Sequence, residues 1–386
     1  MELEKRIRSL LELDKFKNLS PEEKEIVFNS ILANCLILSK ENQNDFLEII
    51  SECLESIENL KDSHYHLKGA CYSGIVECNT GKALDQAQTI FPFIYHLKYK
   101  EFSTPLAQMT KSILHEFGHL AVKKDGFRLT DTTYLIPTGG LVISKLLKDD
   151  YGHMFNEIIN ELTNLLSYKA FLAYHKPNPD QEQKMQEFAE KMGVKVDEEK
   201  EWLKVLPKNL FTSYTELELS TSTLAEGTES MFNPLYVKYT PLVRLILFVF
   251  QNPTCTYQDL KDEFEKGNGL EAKKDGLPIN DLLYGYYVSP LHVQFLFDAL
   301  MGQGTWEKFC LEFDSKMMDK DIDRSFVDSA IELFSNFYHQ RLFKMVKQKK
   351  ITKAQLVEKE EELIRIKQSC VLYYDNINNN HALGGL

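Results

Sequence analysis

Two histidines and three carboxylates in this chain have the spacing that metal-assisted hydrolysis needs. His115 and His119 lie four residues apart in the stretch Ser112 to Val122, SILHEFGHLAV. On a helix both imidazoles leave one face about a turn apart and can close on a single metal ion. Glu116 follows the first histidine directly. Beside a metal-bound water its carboxylate can take a proton during attack on a carbonyl and pass it to the leaving amine, while the metal polarises that carbonyl. Glu157 and Glu161 repeat the four-residue interval further along. Two carboxylates one turn apart are what a third ligand and an acid supporting a ligand histidine require. Spacing alone permits either to be the ligand, and a solvated helix face would show the same stripe of Glu157, Glu161, Asn164 and Tyr168.

Two helices must bring these residues together. Thr104 and Pro105 are a good N-cap and first helical residue, Lys123 and Lys124 suit a last turn, and Gly126 suits a stop. Met109, Ile113, Phe117, Leu120 and Ala121 recur at helical spacing and predict a buried face behind the histidines. A second helix is predicted from His153 to about Ala173, with Phe155, Ile158, Ile159, Leu162, Leu165 and Leu166 on its apolar side. Between the two, residues 127 to 144 are rich in Thr, Tyr, Ile and Val around Pro137 and Gly139-Gly140, and read as strands with a glycine turn bordering the cleft.

Elsewhere the chain alternates between helical and extended patterns. Residues 1 to 62 predict two or three helices with a start at Ser20-Pro21-Glu22-Glu23, and His64 to Asn79 alternates as strands do. His64 and His66 are read as surface histidines. Residues 82 to 100 are ambiguous, helical at first and then aromatic. The stretch Tyr284 to His292, YGYYVSPLH, is dense in polar aromatics, and Tyr286, Tyr287 or His292 could donate to a developing oxyanion. Residues 305 to 368 read as helical, and the Asn- and Gly-rich tail from Ser369 as loose.

The chain has 386 residues and a formal net charge of -12, with a pI near 5.4. That charge argues against nucleic acid or an anionic membrane as the main partner. Seven cysteines at no zinc-ribbon or redox spacing suit free thiols. The N-terminus mixes charges through its apolar positions, unlike a Sec-type signal. The longest apolar run, Leu242 to Phe250, carries Arg244 and is too short to span a bilayer, so it is expected in the core.

His115-Glu116-Phe117-Gly118-His119 with the later Asn156-Glu157-Ile158-Ile159-Asn160-Glu161 resembles the gluzincin metallopeptidases, thermolysin-like and lethal-factor-like enzymes included. The likeness covers about residues 105 to 170. It implies a zincin-like core of α+β class, mostly helical, with added helical segments. It also implies Zn2+ held by His115, His119 and Glu157, with Glu116 as general base and then acid. Glu161 becomes the carboxylate behind a ligand histidine. Tyr151, ahead of the second helix, matches the lethal-factor tyrosine that donates to the oxyanion, with Tyr287 and His292 as other candidates. The expected organisation is a helical segment at 1–62, a catalytic region at 63–300, a helical segment at 301–368 and a tail at 369–386. The activity so implied is a zinc metalloendopeptidase acting on a protein or peptide, with no membrane span. It would work in the cytoplasm or as an effector or toxin exported by a Sec-independent route. Two other readings fit the same residues: a zincin-fold interaction protein without turnover, and a zinc hydrolase of a non-peptide amide.

Overall fold

A computed structural model describes residues 2–59, 69–75, 93–99, 105–122, 127–128, 134–145, 148–174, 238–316, 319 and 321–383. His64, His66, Thr104, Lys123, Lys124 and Gly126 lie outside them, as do the side chains of Leu165 and Tyr168. The described residues are mostly helical.

Three helices open the chain: α1 (Glu2–Leu10), α2 (Pro21–Ile37) and α3 (Lys40–Glu48). Ser20 and Glu23 form the capping box that starts α2, each satisfying the other's backbone N–H. From Ile26 to Cys35 every residue of α2 is buried, because α4 (Pro105–Ala121) and α5 (His153–Tyr174) pack against it. The expected helix starts at Pro105 and His153 are both observed.

Leu54–Asn59, read from the sequence as helical, is strand β1. It pairs in parallel with β3 (Phe93–Tyr99), Leu54 opposite Tyr95, and β3 pairs antiparallel with β2 (Gly69–Ile75). The pairing is non-local, and it decides both β1 and the ambiguous residues 93 to 99. This three-stranded sheet, ordered β1-β3-β2, contacts α4.

Between α4 and α5 runs an antiparallel meander of β4 (Phe127–Arg128), β5 (Tyr134–Gly139), β6 (Val142–Lys145) and β7 (Lys148–Tyr151). The glycine turn expected at Gly139-Gly140 joins β5 to β6.

The C-terminal part is helical apart from the small hairpin of β8 (Lys273–Lys274) and β9 (Leu277–Pro278). Its helices are α6 (Thr240–Phe250), α7 (Tyr257–Glu265), α8 (Asp281–Tyr287), α9 (Pro290–Met301), α10 (Thr305–Ser315), α11 (Arg324–Lys347) and α12 (Lys353–Leu383). The apolar run Leu242 to Phe250 is the core of α6, and within that run every residue but Arg244 is buried. Phe250, Phe297, Trp306, Phe309, Phe313, Phe326, Phe334 and Phe337 interlock into one aromatic cluster. The tail expected to be loose from Ser369 is helical through Leu383, with Cys370 and Tyr374 fully buried. Cys35, Cys255, Cys310 and Cys370 are free thiols. No helix among the described residues is long and apolar enough to cross a membrane.

Candidate metal centre

The face of α4 that carries Ile113, Leu114, Phe117 and Leu120 is buried, and this fixes the rotation of the helix about its axis. His115 and His119 then project together from another face, their Nε2 atoms 3.0 Å apart. Glu157 reaches across from α5 and places Oε2 3.3 Å from His115 Nε2 and Oε1 3.4 Å from His119 Nε2. Ligands at the usual Zn–N and Zn–O lengths in a tetrahedral site lie about 3.3 to 3.4 Å apart along its edges. In the His115–His119–Glu157 triangle the two edges from Glu157 have that length, the edge between the histidines is a little shorter, and the donor atoms form a possible metal site. The two ring nitrogens are also within hydrogen-bond distance of each other, so either a proton or a shared cation can sit between them.

Glu161, one turn beyond Glu157, puts Oε1 3.3 Å from His115 Nδ1. Its contact is with the far side of the His115 ring rather than with the triangle, a place from which a carboxylate can orient that ring. The Asn156 amide lies 3.4 Å from His119 Nδ1 and accepts the Leu141 N–H at 3.2 Å, tying the second histidine to the β5–β6 turn.

Charge and burial compete throughout this cluster. Burial pulls the His115 imidazole down, but Glu161, Glu157 and Glu116 outweigh it and hold the ring well above its ordinary value. Burial likewise pushes the Glu157 carboxyl up, and His119 and His115 more than reverse it. Glu116 is buried and its carboxyl is raised, because burial outweighs the pull of His115 and His119.

Beneath the triangle α4 and α5 are joined by asparagines spaced four apart. Asn160 donates to the His115 carbonyl at 2.8 Å. Asn164, with its amide nitrogen toward Leu114 O and its oxygen toward the His115 N–H, lies 3.1 Å from both. A Cβ on Gly118 would stand 2.1 Å from Asn160 Oδ1, so the glycine inside the motif lets the ligand helix approach. Gly140, at φ +57°, admits Asn156 and Tyr286 in the same way, with atoms of each within 2.1 and 2.6 Å of a Cβ built there.

The oxyanion candidates are placed differently from the metal triad. The buried Tyr151 hydroxyl donates to Gln294 on α9 at 2.9 Å, and burial, with the carboxylates of Glu307 and Asp298 nearby, pushes its pKa up. Tyr287 turns its hydroxyl to Thr163 on α5. His292 Nε2 lies 2.7 Å from Asp281, which in turn pairs with Arg341. Tyr286 differs from all three. It is fully buried, its hydroxyl has no hydrogen-bond partner among the described residues, and Glu157 is among the charges that push its pKa well up, after burial itself and Tyr287.

Asn156 and Asn160 entered the sequence analysis only within the motif around Glu157, without a contact to the histidine helix; the interval of four that they share with Asn164 is the signal for that contact. Compared with known proteins, the chain matches no family model, no curated protein and no solved structure.

Proposed function

We propose that this chain is a zinc-dependent metallopeptidase that hydrolyses peptide bonds of a protein or peptide substrate. The observation that carries the reading is the compact triangle of His115 Nε2, His119 Nε2 and the Glu157 carboxylate, with Glu116 buried one residue from the first histidine. Two imidazoles and one carboxylate are a donor set that suits zinc, and three protein donors are the number found at catalytic rather than structural zinc sites. Zinc held there would polarise a carbonyl and make water a nucleophile at neutral pH.

The chain's own groups divide the remaining work. Glu116 accepts a proton as water attacks and delivers it to the leaving amine, a role helped by burial, which raises its carboxyl above the ordinary value. Glu161 faces Nδ1 of His115 and holds that ring with Nε2 toward Glu157. Tyr286 has a buried hydroxyl with no hydrogen-bond partner among the described residues, its ring shares the space at Gly140 with Asn156, and its pKa responds to the charge of Glu157; we assign it the developing oxyanion in preference to Tyr151, whose hydroxyl donates to Gln294.

The test is metal analysis of the purified protein together with mass spectrometry of products from an unbiased peptide library, run for the wild type and Glu116→Gln. Stoichiometric zinc, new peptide termini in the wild type and none in Glu116→Gln are expected. Cleavage at an equal rate by Glu116→Gln would overturn the proton-transfer assignment. A metal-loaded wild type that leaves peptides intact but hydrolyses small amides would move the substrate class.

A further inference from the structure

We infer that Asp314, on α10, is a positioning residue that sets the ligand carboxylate of Glu157 by gripping the first turn of α5 from outside. The inference rests on the metal-site reading above. A helix leaves its first backbone N–H groups without partners in the helix, and a Ser, Thr, Asp or Asn just before it ordinarily satisfies them. Here the residue before α5 is Gly152, at φ +94°, which has no side chain to offer. The cap comes instead from a residue 162 positions away: Asp314 Oδ2 accepts the Gly152 N–H at 2.7 Å and the His153 N–H at 3.2 Å. Its Oδ1 accepts the Met154 N–H at 2.7 Å. Bonds of this kind to a carboxylate are stronger than neutral ones, and the helix dipole adds to them.

The next residue is held from the same side. Phe155 packs its ring against Trp306, Phe309 and Phe313, with centroids 5.3, 5.5 and 5.0 Å away. Residues 152 to 155 are therefore fastened to α10 one after another, and Asn156 and Glu157 follow immediately. Each helical residue adds a fixed rise and rotation, so a shift or fraying of this turn passes straight to Glu157. The Glu157 oxygens lie 3.3 and 3.4 Å from the histidine nitrogens, and a displacement of 1 Å there spoils a ligand distance. Asp314 touches no ligand side chain. It acts through backbone alone.

The experiment uses the full chain and compares Asp314→Ala and Asp314→Asn with Phe326→Leu. Phe326 stacks in the same aromatic cluster, on Phe309 and Phe313, without touching α5 in any of the described ring contacts, and so controls for lost packing. Zinc affinity is measured by competition with a chromophoric chelator, ligand geometry by the visible spectrum of the Co2+-loaded protein, and stability by thermal unfolding. Asp314→Ala should lose roughly 10- to 100-fold in zinc affinity, the range for groups that orient ligands, and shift the Co2+ bands. Asp314→Asn keeps one acceptor oxygen and should fall between. Phe326→Leu should unfold at lower temperature with affinity and spectrum unchanged. If Asp314→Ala fails to fold, Asp314→Asn against Phe326→Leu decides. Wild-type affinity and spectrum in the Asp314 variants, with zinc bound tightly by the wild type, would overturn the positioning role alone. A wild type that takes up neither metal would overturn the metal reading and this inference with it.

Discussion

At the scale of single residues the two acids of α5 divide their labour by which side of His115 they face. Glu157 lies against Nε2 of both histidines, whereas Glu161 lies against Nδ1 of His115. In the proposed site, removing the first would leave a cation on two imidazoles. Removing the second leaves all three donors and costs roughly 10- to 100-fold in affinity. Glu157→Ala is therefore expected to purify nearly metal-free and Glu161→Ala to keep metal but surrender it to mild chelation, as metal analysis of both would show. The reverse order of loss would exchange the two roles. The tyrosines make a second contrast. Tyr286→Phe should lower kcat by about 10- to 1000-fold with zinc content unchanged, since its hydroxyl is assigned to the transition state. Tyr151→Phe should leave kcat nearly unchanged and cost about 1 kcal/mol of stability for the lost bond to Gln294. A kcat loss confined to Tyr151→Phe would restore the lethal-factor analogy at that position.

At the scale of elements the site depends on how closely α4 and α5 approach. Asn160 and Asn164 hold the backbone of α4 at Leu114 and His115, and Gly118 removes the side chain that would keep Asn160 out. Gly118→Ala places a methyl 2.1 Å from Asn160 Oδ1, and with well-packed helices on both sides it should destabilise the fold by about 1 to 3 kcal/mol. The double variant Gly118→Ala, Asn160→Ala should recover part of that loss, because the shortened side chain vacates the position. Denaturant unfolding of the four proteins gives the coupling directly. Additive effects would show that the contact is not what the glycine serves.

At the scale of the whole molecule, the proposed metal site would link metal binding to folding. Glu116, Glu157 and Glu161 converge on two histidines in a largely buried space, and a cation bound only by the folded chain stabilises it by mass action. Zinc at a thousandfold excess over its Kd is expected to add about 4 kcal/mol, read as a higher unfolding temperature that chelation reverses. An unfolding temperature indifferent to both would contradict a site formed by folding. The C-terminal helix also belongs to the core. Tyr374 is fully buried, and Tyr374→Ala should cost about 3 to 5 kcal/mol by thermal or denaturant unfolding, where a loose tail would tolerate it.

What the sequence determined by itself was local. The periodicity of Ile113, Phe117 and Leu120 and the proline at 105 are sufficient to place α4, and the interval between His115 and His119 then places two imidazoles on one face, because a helix repeats every 3.6 residues whatever surrounds it. The start of α5 at His153 and the turn at Gly139-Gly140 were legible for the same reason. Tertiary structure decided whatever depends on partners distant in the chain. Leu54–Asn59 is a strand because residues from 93 onward pair with it, and the tail is helical because Cys370 and Tyr374 have a core to enter. Tyr151 and Tyr286 are chemically alike in sequence, and only packing turns one hydroxyl to Gln294 and leaves the other buried without a hydrogen-bond partner among the described residues. Asp314 shows the same limit most plainly, since a cap supplied from 162 residues away follows no local pattern and exists only once α10 and α5 meet.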